Sequence, residues 1–235
     1  MDLLHFLDRR LTFVQRLYDS TVGPFEERKR QIVAGEPPYD YAGNPEDYDG
    51  DPPFLEEWQE ADDSVMVLGH WCLSMVHASL QVYLRDSISP YGSYWWKPSA
   101  LIALLGNIKK SDGNFQRYRL LFRDHLGVDW EKGPVAIADL EQLNLTRNDL
   151  THAIDIMSFN VRRDENHAER FPSGLFTDDL WKGLDIERIR IDRAKLELAI
   201  KLVKDFCTWL DSIRCQYPEY IRAIEAGEPW PPRKK

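Results

Sequence analysis

Cysteine and long apolar runs are scarce in this chain of 235 residues. The three cysteines, Cys72, Cys207 and Cys215, are too few for a disulfide framework, so a reducing compartment, the cytoplasm, is the expected location. Charged residues interrupt the first 20 positions, where a secretory signal needs a continuous apolar stretch. The apolar runs near 65–68 and 101–105 are much shorter than the roughly 20 residues of a membrane-spanning helix. We therefore expect a soluble protein without a membrane partner.

Several motifs of common enzyme classes are also missing. The patterns GxSxG, GxxxxGK[ST] and GxGxxG do not occur, which argues against nucleophile-elbow hydrolases, P-loop enzymes and dinucleotide-binding folds. Alternate aspartates within 47–51 are similar to a calcium loop, but proline and tryptophan stand where the loop needs glycine and glutamate. His70 and His77 lie two helical turns apart, a spacing that favours packed core histidines over a shared metal ion. We expect no metal and no cofactor.

Acidic charge is confined to one part of the sequence. The net charge is −9, which argues against a protein that binds nucleic acid mainly by neutralising phosphates. Eleven acidic residues and no lysine or arginine occur between Glu36 and Met66, and the rest of the chain carries a net charge of +2. Residues 36–53 combine this charge with prolines and glycines and are predicted to form a long acidic loop. The loop is either a solvated connector, a site for a basic partner, or an electrostatic gate.

Apolar residues recur every three or four positions along most of the chain, which predicts an all-α fold. We expect an antiparallel helical bundle with a long acidic loop insertion, formed by a single domain over residues 1–226 and followed by a flexible tail over 227–235. The predicted helices span residues 3–20, 25–34, 54–86, 99–108, 114–125, 137–157 and 192–215.

Local signals mark the ends of these predicted elements. Gly23-Pro24 predicts a break between the first two helices, and Gly127 predicts the end of the helix over 114–125. Asp192 is placed to cap the last helix. The only strand-like stretch consists of two or three residues around 189–191.

The most informative motif lies in the helical region over 137–157. It is Arg147-Asn148, followed by His152, with Leu150 at an apolar position inside the motif and Ala153 after the histidine. This pattern resembles the Arg-Asn-x-x-x-His motif of HEPN domains, a family of helical bundles that includes many prokaryotic ribonucleases. The resemblance implies a HEPN-like bundle with Arg147, Asn148 and His152 as catalytic residues. It also implies a homodimer that brings two copies of the motif together.

The residues of this motif suit RNA cleavage without a metal. The 2′-hydroxyl of RNA is itself the nucleophile, so a base and a cation suffice: His152 can exchange the proton and Arg147 can stabilise phosphate charge. Asn148 lies about 40° from His152 around a helix, whereas Arg147 lies about 140° away, so convergence needs a long reach or a helix break. Thr146 and Asp149 have capping-box spacing, which favours a helix that begins there.

Residues outside the catalytic trio are also candidates for a substrate site. Thr151, Arg162, Arg163 and His167 are candidate RNA contacts beside the motif, although the last three are better explained by a mixed-charge solvated loop. The aromatic turn over 89–98 could stack unpaired bases or close one end of the core.

These observations favour a metal-independent endoribonuclease of prokaryotic toxin or phage-defence type. Its expected partners are an RNA substrate, a second copy of the chain, and an antitoxin or activator protein. Two alternatives remain open: a catalytically silent interaction module on the same fold, and an acidic inhibitor that mimics nucleic acid.

Overall fold

The fold is mostly helical in this computed structural model, which describes residues 2–40, 51–88, 113–152, 161–162, 175–176, 186–187 and 189–213. The prediction of an all-α protein is confirmed at this level. The described helices are α1 (Leu3–Ala34), α2 (Leu55–Ile88), α3 (Gly113–Leu126), α4 (Ile137–His152) and α5 (Arg193–Ser212). A short 3₁₀ turn, Trp130–Lys132, lies between α3 and α4.

Helix α1 is longer than the sequence predicts. It runs without a break through Gly23 and Pro24, so the prediction of two helices separated at this point is wrong. Proline 24 has no N–H to donate to the carbonyl four residues earlier, which normally weakens a helix. Here the segment after the proline is anchored to α2, since Arg28 pairs with Glu60 at 3.0 Å and Lys29 pairs with Asp62 at 2.8 Å. These ion pairs hold the second part of the helix in place.

Helix α2 confirms the prediction for residues 54–86 to within two residues at either end. It begins after Phe54, whose backbone has a φ of 60°, a left-handed conformation that is rare for a bulky residue. By length and composition alone α2 could cross a membrane, with a mean hydropathy of 1.3 in its most apolar window. More than half of that window, 56%, is buried inside the protein, as in the core helix of a globular protein.

The predicted end signals of α3 and α5 are confirmed. Gly127 follows α3 with a φ of 67°, and the amide of Val128 donates to the carbonyl of Phe122 at 2.9 Å. Before α5, the Asp192 carboxylate accepts a hydrogen bond from the Lys195 amide at 2.8 Å, as an N-cap does.

Strand structure in the described residues is limited to one short ladder. Strands β1 (Val161–Arg162) and β2 (Ile186–Glu187) pair antiparallel, with Val161 opposite Glu187. The strand-like stretch predicted around 189–191 therefore lies just after the ladder, where Ile189 forms a single bridge.

The described chain divides into two compact units. Unit 1 comprises Met1–Leu11, Val76–Leu145 and Leu198–Lys235, and unit 2 comprises Thr12–Met75 and Thr146–Glu197. The single domain over 1–226 stays a prediction. So does the acidic loop, because residues 36–40 and 51–53 form turns and bends whereas 41–50 lie outside the described residues. The predicted aromatic turn, the helix over 99–108 and the tail over 227–235 also lie outside them.

The core of unit 1 is built around Trp130 of the 3₁₀ turn. Its indole ring packs against Phe115, Phe122 and Phe206, with ring centroids 4.9 to 5.4 Å apart. Tyr83 of α2 adds a link to α5, since its hydroxyl donates to the Cys207 carbonyl at 3.0 Å. These aromatic contacts fix α3, the 3₁₀ turn and α5 to one another.

In unit 2 the extended residues Ile189, Arg190 and Ile191, here called the strap, lie against α2. The Nε2 atom of His70 is 2.7 Å from the Ile189 carbonyl oxygen, and Arg190 pairs with Asp62 at 2.6 Å. A methyl group added at Gly69 would lie 2.3 Å from the Ile191 carbonyl oxygen, so only glycine permits this approach. The strap leads directly into the capped start of α5.

Candidate active site

The motif residues Arg147, Asn148 and His152 lie in the last turns of α4, which runs unbroken from Ile137 to His152. The prediction that Thr146 and Asp149 start a helix is therefore wrong, because both lie inside α4. Their side chains are buried, with Thr146 only 1% and Asp149 only 4% exposed. The capping-box spacing also arises by chance inside helices, and here it marks two residues that pack inward rather than a helix start.

Arg147 and Asn148 make the one side-chain contact described within the motif. The Nη1 atom of Arg147 donates to Oδ1 of Asn148 at 3.1 Å, and both side chains are partly exposed. The contact holds the guanidinium close to the amide, and the remaining N–H groups of the arginine keep the geometry that binds phosphate. Because Oδ1 of Asn148 accepts this hydrogen bond, the orientation of the Asn148 amide is also fixed.

Thr151 is placed on the exposed side of α4. Its hydroxyl donates to the Arg147 carbonyl at 2.8 Å, the common bond of a helical threonine to the preceding turn. This bond ties the predicted substrate contact to the backbone of the predicted catalytic arginine. The hydroxyl oxygen can still accept a hydrogen bond from a ligand.

His152 is the last residue of α4, and its side chain lies outside the described part of the structure. Among the predicted RNA contacts, Arg162 is described only as backbone in β1, whereas Arg163 and His167 lie outside the described residues. On the regular helix, Asn148 precedes His152 by one turn and Arg147 lies about 140° away from it. No helix break brings Arg147 and His152 together within α4.

Helix α4 also carries a row of buried polar residues that was not predicted from the sequence. Gln142, Thr146 and Asp149 are spaced four and three residues apart, and each is less than 5% exposed. The apolar residues of α4 do not form a clear stripe, so periodicity alone gave no sign of which face packs inward. The regular spacing of these polar residues was the available signal. Leu140 and Leu143 are also buried, so α4 packs inward through polar as well as apolar side chains.

The two histidines of α2 are core residues. His70 and His77 are each 6% exposed, and His77 places Nε2 at 3.0 Å from Oδ1 of Asn144 on α4. The described residues contain no group of three or more histidine, cysteine, aspartate or glutamate side chains arranged to hold a metal ion.

The described cysteines are unsuited to nucleophilic catalysis. Cys72 and Cys207 are buried free thiols. Burial raises the pKa of the Cys72 thiol to about 11 and raises that of Cys207 well above its ordinary value, an effect to which Asp211 adds. Because the thiolate is the reactive form, both groups are inert near neutral pH.

Unit 1 contains a groove of about 660 Å³ between the first turns of α1 and the last turns of α5. Asp2, Asp8 and Asp211 line it, together with Lys204, which pairs with Asp8. None of the residues predicted for the RNA site lines this groove.

Comparison of the chain with protein-family models, with curated proteins and with solved structures finds no match.

Proposed function

We propose that the chain is a HEPN-like, metal-independent endoribonuclease of prokaryotic toxin or phage-defence type that acts in the cytoplasm as a homodimer. The observation that carries the proposal is the Arg147–Asn148 side-chain pair at 3.1 Å, one helical turn before His152. A cation and an imidazole at the end of one helix suffice for RNA transesterification, and the amide beside them can orient the imidazole or bind phosphate. The motif resemblance supplies their roles.

In the proposed reaction His152 takes the proton of a ribose 2′-hydroxyl, and the 2′-oxygen attacks the adjacent phosphorus. The bond from phosphorus to the 5′-oxygen of the next nucleotide then breaks, and that oxygen receives a proton from the imidazolium of His152, which returns to its neutral form. The products are a 2′,3′-cyclic phosphate and a 5′-hydroxyl. Arg147 stabilises the negative charge that develops on the phosphate oxygens, while Asn148 orients the imidazole or binds phosphate.

The continuity of α4 favours a site shared between two chains. The backbone positions of Arg147 and His152 lie about 140° apart around a regular helix, so one copy of the motif carries the two residues on different sides of α4. A twofold dimer can place Arg147 of one copy near His152 of the other. The proposed site is therefore composite, and its assembly depends on dimerisation.

The test is cleavage of single-stranded and structured RNA in EDTA, with detection of the 2′,3′-cyclic phosphate. His152→Ala and Arg147→Ala should each lower the cleavage rate at least 100-fold, in line with the loss of an acid–base or charge-stabilising group. The matched control is Arg193→Ala, which removes an exposed arginine elsewhere. If the purified protein leaves a broad RNA panel intact, or if His152→Ala cleaves like the parent, the enzyme proposal is wrong.

The alternative of a catalytically silent module is favoured by one observation. Arg147 donates to its own neighbour, Asn148, on an unbroken helix, an arrangement that also serves as a structural contact. The free energy of unfolding separates the two proposals. His152→Ala should leave it nearly unchanged if the side chain faces a cleft, whereas a loss above about 2 kcal/mol indicates a structural histidine.

A further inference from the structure

Helix α1 exposes two phenylalanines, although the other large apolar side chains between Leu3 and Tyr18 are buried or half-buried. Phe6 is 49% and Phe13 is 57% exposed, whereas Leu7, Leu11 and Val14 are each less than 5% exposed. The two phenylalanines are seven residues apart, so they share one face and lie about 10 Å apart along the helix axis. Phenylalanine is usually buried, so a pair of exposed rings on one face of a helix forms an apolar surface that a ligand can cover.

Two exposed arginines share that face. Arg9 and Arg16 each follow a phenylalanine by three residues, and all four side chains fall within an arc of about 80°. Their relative placement is set by the geometry of α1 alone. We call Phe6, Arg9, Phe13 and Arg16 the α1 stripe.

The ion pairs of α1 leave the stripe positively charged. Asp8 pairs with Lys204, Asp19 with Arg193 and Glu27 with Arg30, and none of these acids belongs to the stripe. Within the described ranges, neither Arg9 nor Arg16 forms an ion pair. As far as the described residues go, both guanidinium groups can therefore pair with an anionic ligand, in a chain whose net charge is −9.

We propose that the α1 stripe binds single-stranded RNA, with bases stacked on Phe6 and Phe13 and phosphates paired with Arg9 and Arg16. This combination of rings and cations recognises any base, because every base has a π-face and every nucleotide a phosphate. The spacing of about 10 Å equals roughly three stacked-base steps of 3.4 Å. Two rings offer little apolar area for a lipid surface, which makes RNA the better fit. The choice of RNA rests on the proposed function.

The test measures binding of labelled 12-nucleotide oligouridylate and oligoadenylate by fluorescence anisotropy, in the full chain carrying His152→Ala to prevent cleavage. The double variant Phe6→Ala, Phe13→Ala should weaken binding of both oligonucleotides at least tenfold, since each base stacked on a ring contributes to the free energy of binding. Phe6→Leu with Phe13→Leu keeps the apolar character and removes the rings, and it should weaken binding similarly. Val33→Ala is the matched control, because Val33 is an exposed apolar residue of α1 outside the stripe.

Salt dependence tests the arginines separately. Arg9→Ala with Arg16→Ala should reduce the slope of log K against log salt by about 1.4, or about 0.7 for each lost phosphate contact with a single strand. Lys132→Ala with Lys201→Ala removes the same charge from other exposed positions and should leave the slope unchanged.

Three results would contradict RNA binding by the stripe. Stripe variants that fold by circular dichroism and bind RNA like the parent would exclude an RNA contact. Stripe variants that turn a dimer into a monomer would identify an interface between copies, and variants that lose binding to phosphatidylglycerol vesicles but keep RNA binding would identify a lipid surface. The ribonuclease proposal is tested independently. If RNA binds through the stripe but is never cleaved, the ribonuclease proposal is contradicted and the binding proposal is supported. If cleavage depends on His152 but the stripe variants bind and cleave RNA like the parent, the binding proposal is contradicted and the ribonuclease proposal is supported.

Discussion

Asp62 of α2 is a buried carboxylate that contacts both α1 and the strap in unit 2. Its side chain is 3% exposed and pairs with both Lys29 and Arg190. Burial raises the pKa of Asp62, but the hydrogen bonds and charges of Lys29 and Arg190 outweigh burial and hold the pKa below its ordinary value. A group with a lowered pKa stabilises the fold above its unfolded pKa, near 3.9, and loses that contribution as pH falls through the folded value.

Asp62→Asn should therefore lower the free energy of unfolding by about 2–4 kcal/mol at pH 7, because two cations lose their buried partner. Urea denaturation at several pH values measures it. The difference between parent and variant should shrink below about pH 4, because the unfolded carboxylate takes up its proton there, whereas the folded one does so only at lower pH. A difference that stays constant down to pH 2 would contradict the assigned role of the charge.

Gly69 and Gly23 form a matched pair of helical glycines. Gly69→Ala should destabilise the protein by about 2–3 kcal/mol, because the new methyl group would meet the backbone of the strap at Ile191. Gly23→Ala meets nothing within 4 Å and should stabilise α1 by up to about 1 kcal/mol. Thermal melts of both variants check the two signs. Equal effects would show that the strap does not press on α2.

At the scale of whole helices, periodicity predicted α2, α3 and α5 well, together with the Asp192 cap and the Gly127 end. The errors occurred where a local signal conflicts with packing. Gly23-Pro24 suggests a break, yet the ion pairs of Arg28 and Lys29 hold the helix beyond it. Thr146 and Asp149 suggest a start, yet both pack inside α4. Such contacts depend on residues far apart in sequence, so no local pattern encodes them.

For the candidate site, the sequence predicted the residue types and their place on a helix. It predicted neither the Arg147–Asn148 contact nor the buried polar row of α4.

Pro24→Ala tests the continuity of α1. Proline inside a helix costs up to about 3 kcal/mol relative to alanine, so the variant should raise the free energy of unfolding by about 1–3 kcal/mol. Chemical denaturation measures the change. Because Pro24 is exposed, the gain should come without any loss of core contacts. A destabilised variant would mean that α1 needs the proline at this point.

At the scale of the whole molecule, the proposed composite site makes a quantitative prediction. Arg147→Ala and His152→Ala should each be inactive alone. Mixed in equal amounts and allowed to exchange subunits, they should recover about a quarter of the parent activity, because half of the dimers are mixed and each of those has one intact site of two. No recovery after verified exchange, or a strictly monomeric parent by light scattering at tens of micromolar, would contradict the composite site.

The strap also determines when the protein can fold during its synthesis. His70 is 119 residues from Ile189 in the sequence, and Asp62 is 128 residues from Arg190. While a ribosome is still adding the residues between them, Asp62 lacks one of its two cations and the Gly69 surface is uncovered. The first two helices therefore leave the ribosome with an unfinished core, and unit 2 closes only once residue 191 has emerged. Chaperones that shield exposed apolar surface would act on this nascent chain during that interval.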